Sequence, residues 1–292
     1  MLAIQAKGNP SICGLDPFPA LFPPHILNNR SADALDRDAT AEAIIAFNKG
    51  IIDAVSDIVP AVKPQCAFYE QYGWQGVRAL EETVKYAKNK GIFVLIDGKR
   101  NDIGSTAEGY ARAYLGDTFD ADALTVNGYL GTDGIKPFLS TKRMIFVLAK
   151  TSNPSSGELQ DLRLNSGQTV SEKMAELCEQ WGAETPHCGN YSNVGMVVGA
   201  TYPKELADLR EKAPHTFILV PGYGAQGGGA ADIAAAFDSN DEGAIVNSSR
   251  GILYAYKKDG SRPSEDFASA ARDAAIEMKT AIADALNSRK TR

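Results

Sequence analysis

Eight short apolar runs, separated by stretches of helical spacing, restrict the folds that this chain can adopt. Several runs are nearly continuous in Val, Ile and Leu, which is typical of parallel strands covered on both faces. The runs are SICGL (11–15), AVKPQ (61–65), IFVLIDG (92–98), ALTVN (123–127), MIFVLAKT (144–151), VGMVVGA (194–200), TFILVPG (216–222) and GAIVNSS (243–249). Alternating strands and helices imply a closed parallel barrel or a large doubly wound sheet, and the count of eight favours an α/β protein with a (β/α)8 TIM barrel.

The stretches between the runs place apolar residues at helical intervals. In residues 38–59 only Asn48 interrupts an apolar stripe, and residues 74–91 end at Gly91, where a glycine fits a helix end. Further helices are predicted at about 104–115, 132–140, 169–182, 203–212, 229–238 and 264–288.

The length and composition of the chain suit one large core. Because 292 residues with 44% hydrophobic content can bury such a core, we expect residues 1–292 to form a single barrel domain. We expect this domain to carry a Pro-rich insertion, DPFPALFPPH (16–25), after the first strand and a helix at its C-terminus.

Charge, cysteine and histidine content disfavour several classes of function. The net charge of −6 and the pI near 5.2 argue against a general affinity for nucleic acid or anionic membranes. No stretch approaches about 18 uninterrupted apolar residues, and the N-terminal residues lack the features of a signal peptide, so we expect a cytoplasmic protein. The four cysteines lack CxxC spacing and no histidine ends an apolar strand, which disfavours disulfides, zinc sites and histidine-based catalysis.

Polar residues collect at the ends of the predicted strands. In barrels and in doubly wound sheets, ligands bind at the carboxyl ends of the strands. One such residue is more often a solvated boundary residue, but several strands that end in reactive groups indicate a functional rim. These residues are Asp16, Lys63, Asp97, Lys99, Asn127, Lys150, Thr151, Ser152, Ser248, Ser249 and Arg250.

The stretch VLIDGKRNDIGST (94–106) ends an apolar run with four charges. Strand alternation predicts that Asp97 and Lys99 point to one face and Gly98 to the other. With Lys63 nearby, alternating Asp and Lys charges form a preset field in which a unit-charge pair at about 4 Å is worth roughly 4 kcal/mol. A carboxylate held beside a substrate's own carboxylate favours loss of CO2, and an ammonium group stabilises and protonates the resulting carbanion. This chemistry needs no cofactor.

The stretch VPGYGAQGGG (220–229) has the features of an anion site. Its glycines allow close approach of the backbone, and the helix that follows directs free N–H groups at the anion. Gln226 and Arg250 can donate to phosphate oxygens. Gly222 to Gly227 also matches GxGxxG, but the next strand ends without an acidic residue for a ribose diol, which disfavours dinucleotide binding.

The segment DGKRNDIGST (97–106) resembles the Asp-x-Lys-x-x-Asp-Ile signature of the orotidine 5′-phosphate decarboxylase family. Four further segments follow in that family's order, and they resemble most the longer bacterial (type 2) subfamily. They are GLDP (14–17), VKPQCAFYEQYG (62–73), KTSNPSSGELQDL (150–162) and VPGYGAQGG (220–228). The resemblance implies conversion of orotidine 5′-monophosphate (OMP) to uridine 5′-monophosphate (UMP) and CO2, the last step of de novo UMP biosynthesis, without metal or other cofactor.

The resemblance also implies roles for residues of the charge array. Lys99 matches the proton donor to C6 of the pyrimidine, and Asp97 matches the carboxylate near the departing carboxylate. Lys63 matches the lysine that completes the charge network and reaches the ribose. Asp102 and Thr106 match residues that enter the partner subunit's site, which implies a homodimer with shared sites.

The remaining residues implied by the resemblance bind substrate. Asp16 matches a ribose-contacting aspartate and Ser152 the serine over the pyrimidine's amide edge. Gln226 and Arg250 match the pair that holds the phosphate, and Gly224 lies in the same loop. At two variable positions, 98 and 101, the sequence has Gly and Asn where a larger residue and a glycine are expected.

Three alternatives remain open at this point. A related barrel enzyme could use the Asp-x-Lys-x-x-Asp spacing to hold Mg²⁺ and act on a sugar phosphate. A Schiff-base aldolase could use Lys99 or Lys150 as its nucleophile. A non-catalytic barrel could bind nucleotides without changing them.

Overall fold

The computed structural model describes residues 1–223, 229–258, 260 and 262–290. Its strands, numbered along the chain, are β1 (Ser11–Leu15), β2 (Ala61–Pro64), β3 (Phe93–Arg100), β4 (Ala123–Val126), β5 (Met144–Lys150), β6 (His187–Cys188), β7 (Tyr191–Ser192), β8 (Val194–Val198), β9 (Phe217–Val220) and β10 (Ala244–Ser248). Eight of them pair in parallel and close into a barrel, in the order β1, β10, β9, β8, β5, β4, β3, β2. The predicted TIM barrel and each of its eight strands are confirmed.

The helices mostly follow the predicted ranges. They are α1 (Leu2–Lys7), α2 (Arg37–Val55), α3 (Ala67–Glu70), α4 (Gly73–Asn89), α5 (Gly104–Leu115), α6 (Thr132–Leu139), α7 (Gly157–Gln160), α8 (Val170–Gly182), α9 (Pro203–Lys212), α10 (Ala230–Ile233), α11 (Arg250–Leu253) and α12 (Phe267–Lys290). The helix predicted at 229–238 is shorter, because α10 ends at Ile233 and a 3-10 turn, Ala234–Ala236, follows it. No helix in the described part of the chain is long and apolar enough to span a membrane.

Two apolar layers make the core, one inside the barrel and one between the barrel and its helices. Inside the barrel, the rings of Phe146 and Phe217 meet edge to face with centroids 6.3 Å apart. Gly195 makes room for them, since a Cβ there would lie 2.6 Å from the Phe146 ring. At the amino-terminal end of the barrel, Met1 and Ile4 pack against the inner layer. This end is therefore closed by apolar side chains.

Asn48, the polar residue in the apolar stripe of α2, is fully buried. Its Nδ2 donates to Tyr69 Oη at 2.9 Å and to Thr83 Oγ1 at 3.0 Å. The side chain thus joins α2 to α3 and α4, which accounts for a polar residue on a core-facing position.

The Pro-rich segment between β1 and α2 folds into three 3-10 turns, Pro19–Leu21, Pro24–Leu27 and Ala32–Ala34. The Tyr254 hydroxyl accepts from the Phe18 N–H at 2.7 Å and donates to the Asp16 carbonyl at 3.2 Å. These bonds fix the segment that carries Asp16 beside the carboxyl end of β1.

Candidate active site

A cavity of about 540 Å³ lies at the carboxyl ends of the barrel strands. Its polar wall includes Asp16, Lys63, Asn247 and Arg250, and aromatic side chains such as Tyr254 form much of the remaining wall. The predicted functional rim thus has a cavity, as expected for ligand binding at this face of a TIM barrel.

The ends of β2 and β3 bring two lysines onto one carboxylate. Lys63 Nζ lies 3.0 Å from Asp97 Oδ2, and Lys99 Nζ lies 2.6 Å from Asp97 Oδ1. The Asp97 and Lys63 side chains are almost fully buried, whereas that of Lys99 is 45% exposed. The prediction that Asp97 and Lys99 share a face is confirmed by this contact, and Lys63 is the member of the cluster that lines the cavity.

Charge pairing outweighs burial in this cluster. Burial by itself raises the pKa of Asp97, but the ammonium groups of Lys63 and Lys99 hold it well below its usual range. Burial lowers the pKa of Lys63, but the carboxylates of Asp97 and Asp16 raise it above its usual value. Both groups are therefore ionised at neutral pH, and the cluster presents fixed charges.

The backbone at Lys99 departs from a regular strand. Lys99 has a φ of 46°, in the left-handed region, and the register of β3 against β4 shifts between Ile96 and Arg100. For a residue with a Cβ, this conformation costs roughly 1–2 kcal/mol. A Cβ on Gly98 would lie 3.1 Å from Leu124 Cδ1, a close contact that a small shift of the leucine would relieve.

Thr125 on β4 holds this irregular strand end, and the sequence analysis missed it. Its hydroxyl donates to Asp97 Oδ1 at 2.8 Å and accepts from the Lys99 N–H at 2.9 Å. Thr125 lies inside a short apolar run, where a threonine is an ordinary strand residue. Only the three-dimensional neighbourhood identifies it.

Arg100, the third of the four charges in residues 94–106, does not join the cluster. Its guanidinium contacts Glu70 and Tyr114, and it lies 5.6 Å from the centre of the Tyr110 ring. Arg100 therefore anchors the end of β3 to α3 and α5.

Asp16 lines the cavity and has one carboxylate oxygen that is unpaired within the described structure. Its Oδ1 is buried and has no hydrogen-bond partner among the residues that the structure describes. A buried carboxylate oxygen without a partner is rare in folded proteins. A ligand hydroxyl at this wall of the cavity would satisfy it.

Asn247 is a second cavity residue that the sequence analysis missed. It lies on β10 and is nearly buried, and its Nδ2 donates to Ser249 Oγ at 3.3 Å. Gly14 admits this pair, because a Cβ there would lie 1.9 Å from Ser249 Oγ. Strand alternation could have found Asn247, since it lies two residues after Ile245, which faces the barrel interior.

The predicted phosphate site is described only in part. Gly224 and Gln226 lie outside the described residues. Gly222 and Arg250 line the cavity, and the exposed Arg250 forms no ion pair with any described residue. The guanidinium is thus available to an anion.

Asp102 and Thr106 do not line the cavity of their own chain. The Asp102 carboxylate accepts from the N–H of Ile103 at 2.8 Å, and Thr106 is exposed in the first turn of α5. Beside them, a groove of about 600 Å³ runs between α5 and α6, with Ile103 and Gly104 in its wall.

Lys150 ends β5 and Ser152 follows it, and neither residue belongs to the cavity wall. Lys150 is fully buried, and its Nζ lies 2.6 Å from Asp161 Oδ1. Lys150 therefore ends its strand as predicted, but its side chain pairs with Asp161 and is not part of the cavity wall. Ser152 packs against Gly199, where a Cβ would lie 2.8 Å from Ser152 Cβ.

The cluster can stabilise negative charge that develops near Lys99 and can supply a proton there. Both oxygens of Asp97 already accept from an ammonium group, so a divalent cation would have to displace a lysine to bind there. The arrangement thus favours acid catalysis by Lys99 over Mg²⁺ binding at Asp97.

Comparisons with known proteins match most of the chain to one family. Residues 33–261 match the profile of the Orotidine 5′-phosphate decarboxylase / HUMPS family. The chain is 45% identical over 289 residues to the orotidine 5′-phosphate decarboxylase of Rhodopirellula baltica, with 94% of this chain and 95% of the relative covered. It is 43% identical over 271 residues to that of Caldicellulosiruptor saccharolyticus, with 87% and 88% covered. The solved structure of Leishmania donovani OMP decarboxylase matches with a TM-score of 0.77 and 32% identity, covering 98% of this chain and 97% of that chain.

Proposed function

The chain belongs to the orotidine 5′-phosphate decarboxylase family, and we propose that it converts OMP to UMP and CO2 by electrostatic catalysis, with no metal or other cofactor. The relatives named above carry the assignment of substrate. The mechanism is supported by one observation in particular: Asp97 lies between two lysines, and one of them, Lys63, lines a cavity together with Arg250, which has no ion-pair partner among the described residues.

The reaction breaks the bond between C6 and the carboxylate of the substrate. The electron pair of that bond stays on C6, and a proton from Lys99 Nζ then forms the new C6–H bond. Lys99 is left neutral and regains a proton from solvent. Negative charge thus moves from the carboxylate, near Asp97, to a carbon near Lys99.

This movement of charge is the step that the cluster favours. Asp97 repels the substrate's carboxylate in the ground state, and Lys99 attracts the carbanion that forms. An interaction that improves between ground state and transition state accelerates the reaction, whereas uniform binding does not. Asp97 must stay ionised for this, and its lowered pKa supports that role.

The rest of the substrate is held away from the reacting carbon. We assign the phosphate to Arg250, Gln226 and the loop at Gly224, the ribose to Asp16 and Lys63, and the pyrimidine amide edge to Ser152. These roles are supported by the guanidinium of Arg250 and the Oδ1 of Asp16, neither of which has a partner in the described part of the chain. Binding energy from these remote groups can be used to position the reacting carboxylate against Asp97.

We further propose a homodimer in which Asp102 and Thr106 of each chain complete the partner's site. Both residues lie outside their own cavity, next to exposed apolar side chains. Ile103 is 51% exposed, Tyr129 75% and Leu130 44%, and the groove between α5 and α6 adjoins Ile103. A second copy of the chain would cover this surface. A cytoplasmic location and membership of the longer bacterial subfamily remain predictions.

One assay tests the proposed function. OMP consumption is followed by its absorbance in the presence of EDTA, with the wild-type protein and with Lys99→Ala. Turnover by the wild type and none by the variant is the expected result. Loss of wild-type activity in EDTA would favour a Mg²⁺ enzyme, trapping of a substrate adduct by borohydride would favour a Schiff base, and UMP binding without turnover would favour a non-catalytic barrel.

A further inference from the structure

Lys150, the last residue of β5, has a side chain that is completely buried. Its Nζ lies 2.6 Å from Asp161 Oδ1 and 4.5 Å from the centre of the Tyr202 ring. Burying an ammonium group costs free energy unless an anion pairs with it, so the Asp161 carboxylate is needed to stabilise the buried Lys150. Asp161 itself is half exposed. Eleven residues of sequence separate the two partners.

A second pair of residues, Thr151 and Gln160, closes the loop that runs from Lys150 to Asp161. The Thr151 N–H donates to Gln160 Oε1 at 2.8 Å, and Gln160 Nε2 donates to Thr151 Oγ1 at 2.8 Å. Two residues at one end of the loop therefore bind two at the other. We call Lys150, Thr151, Gln160 and Asp161 the loop clamp.

The loop clamp encloses Ser152. On its other side the Ser152 backbone packs against Gly199, where a Cβ would lie 2.9 Å from Ser152 Cα, and the Thr201 hydroxyl donates to the Ser152 carbonyl at 3.5 Å. The position of Ser152 thus depends on contacts with the segment after β8 and on closure of the loop.

We propose that Lys150 is a positioning residue, whose ion pair with Asp161 closes the loop clamp so that Ser152 is held toward the pyrimidine of the substrate. The inference rests on the proposed function, because that function assigns Ser152 to the pyrimidine. It also gives Lys150 a role other than that of a Schiff-base nucleophile, since its amine is enclosed and paired.

The geometry predicts unequal effects for the two partners. Asp161→Asn leaves a fully buried ammonium group without an anion, whereas Lys150→Met leaves a carboxylate that solvent already reaches. Removing the partner of the more deeply buried charge is the more damaging change. Asp161→Asn is therefore expected to open the loop clamp more than Lys150→Met does.

The test compares ligands with and without the pyrimidine. The dissociation constants of UMP and of ribose 5-phosphate are measured by calorimetry for the wild type, both variants and the control Lys88→Met. Lys88 pairs with Asp122 near the amino-terminal ends of the strands, so the control removes a Lys–Asp pair remote from the cavity. Hydrogen exchange of residues 151–161 is recorded in parallel.

We expect Asp161→Asn to weaken the binding of UMP about tenfold, because about one hydrogen bond to the ligand is lost. Binding of ribose 5-phosphate should stay within about twofold, since that ligand lacks the ring that Ser152 contacts. In Asp161→Asn the KM for OMP should rise together with the dissociation constant of UMP, and hydrogen exchange should accelerate in residues 151–161. Asp161→Glu should restore the wild-type KM and the wild-type exchange rates. Lys88→Met should change none of these.

Equal weakening of both ligands, or no change in either, would overturn the proposal. If Asp161→Asn does not fold, the same comparison of UMP and ribose 5-phosphate binding in Lys150→Met tests the proposal. The outcome is separable from the proposed function: a wild-type protein that binds UMP but does not consume OMP contradicts the function, whereas normal turnover with an unchanged KM in both variants contradicts the role of Lys150.

Discussion

Asp97 and Asp122 each contact two cationic side chains, at opposite ends of one barrel. Asp97 receives two lysines near the carboxyl end of β3. Asp122, which precedes β4, receives Lys88 and Arg143. By charge and contact the two clusters are alike, so an acid between two bases does not by itself identify a site.

Their surroundings differ. Asp122 also accepts the N–H of Val94 at 2.9 Å, which joins the starts of two strands. The nearest cavity inside that end of the barrel is apolar and measures about 90 Å³, with Met1 and Ile4 in its wall. Lys63, one of the two partners of Asp97, lines a cavity of about 540 Å³ whose wall also carries Asp16, Asn247 and Arg250. The comparison teaches that the cavity and its unpaired polar groups, rather than the ion pairs, separate a site from a structural cluster.

The largest expected effect is the loss of Lys99. Lys99→Ala should lower kcat at least about 10⁴-fold, because it removes both the proton donor and a charge that stabilises the carbanion. Lys63 still pairs with the buried Asp97 in this variant, so the melting temperature should fall only modestly. Lys88→Met should retain full activity. Comparable activity losses in Lys99→Ala and Lys88→Met would contradict the assignment of the active site to the Asp97 cluster rather than to the Asp122 cluster.

Mixing two inactive variants extends the comparison to the partner subunit. In a heterodimer of Lys99→Ala and Asp102→Ala chains, one of the two sites keeps both residues. Random reassociation should therefore restore about a quarter of wild-type activity, as expected for shared sites across a two-fold interface. Activity that stays at the level of the separate variants after proven subunit exchange would count against shared sites.

The two aspartates can be compared by the same substitution. Asp97→Asn should lower kcat by about 10³-fold, the scale of a lost electrostatic contact at a reacting group. Asp122→Asn should leave kcat unchanged and lower the free energy of unfolding by about 1–3 kcal/mol. Kinetics and denaturant unfolding of both variants provide the measurement. An activity loss in Asp122→Asn that matches the loss in Asp97→Asn would contradict the account.

Substitution of Thr125 should lower kcat less than substitution of Asp97, and it tests whether the orientation of the Asp97 and Lys99 charges matters. Thr125→Val preserves shape but removes the hydroxyl that contacts Asp97 and the Lys99 backbone. We expect kcat to fall about tenfold with little change in KM, because only the orientation of the charges is altered. Thr125→Ser should recover most of the loss. A change confined to KM would show that Thr125 acts on binding instead.

Much of the fold was predictable, because barrel strands and their helices carry strong periodic patterns. The helix α1 was not, since six residues are too few to show a period. The two-residue strands β6 and β7 escaped prediction for the same reason.

The site was predictable where a charged residue ends a strand, as for Asp97 and Lys99. Strand ends could not distinguish Lys63, which joins the cluster, from Lys150, whose partner Asp161 lies in a loop. Thr125 was hidden because a threonine inside a strand has no distinctive pattern. Side-chain pairing across elements is a property of packing, which local sequence does not encode.

The most direct test of the central claim is the ionisation of Asp97 itself. The protein is labelled with ¹³C at aspartate carboxyl carbons, and the Asp97 resonance is identified by its absence in Asp97→Asn. The account predicts that this carboxyl group stays ionised as the pH falls below about 4, the ordinary pKa of an aspartate, because two ammonium groups contact it. A resonance that titrates at or above that value would show a carboxyl group without the fixed charge that the mechanism requires.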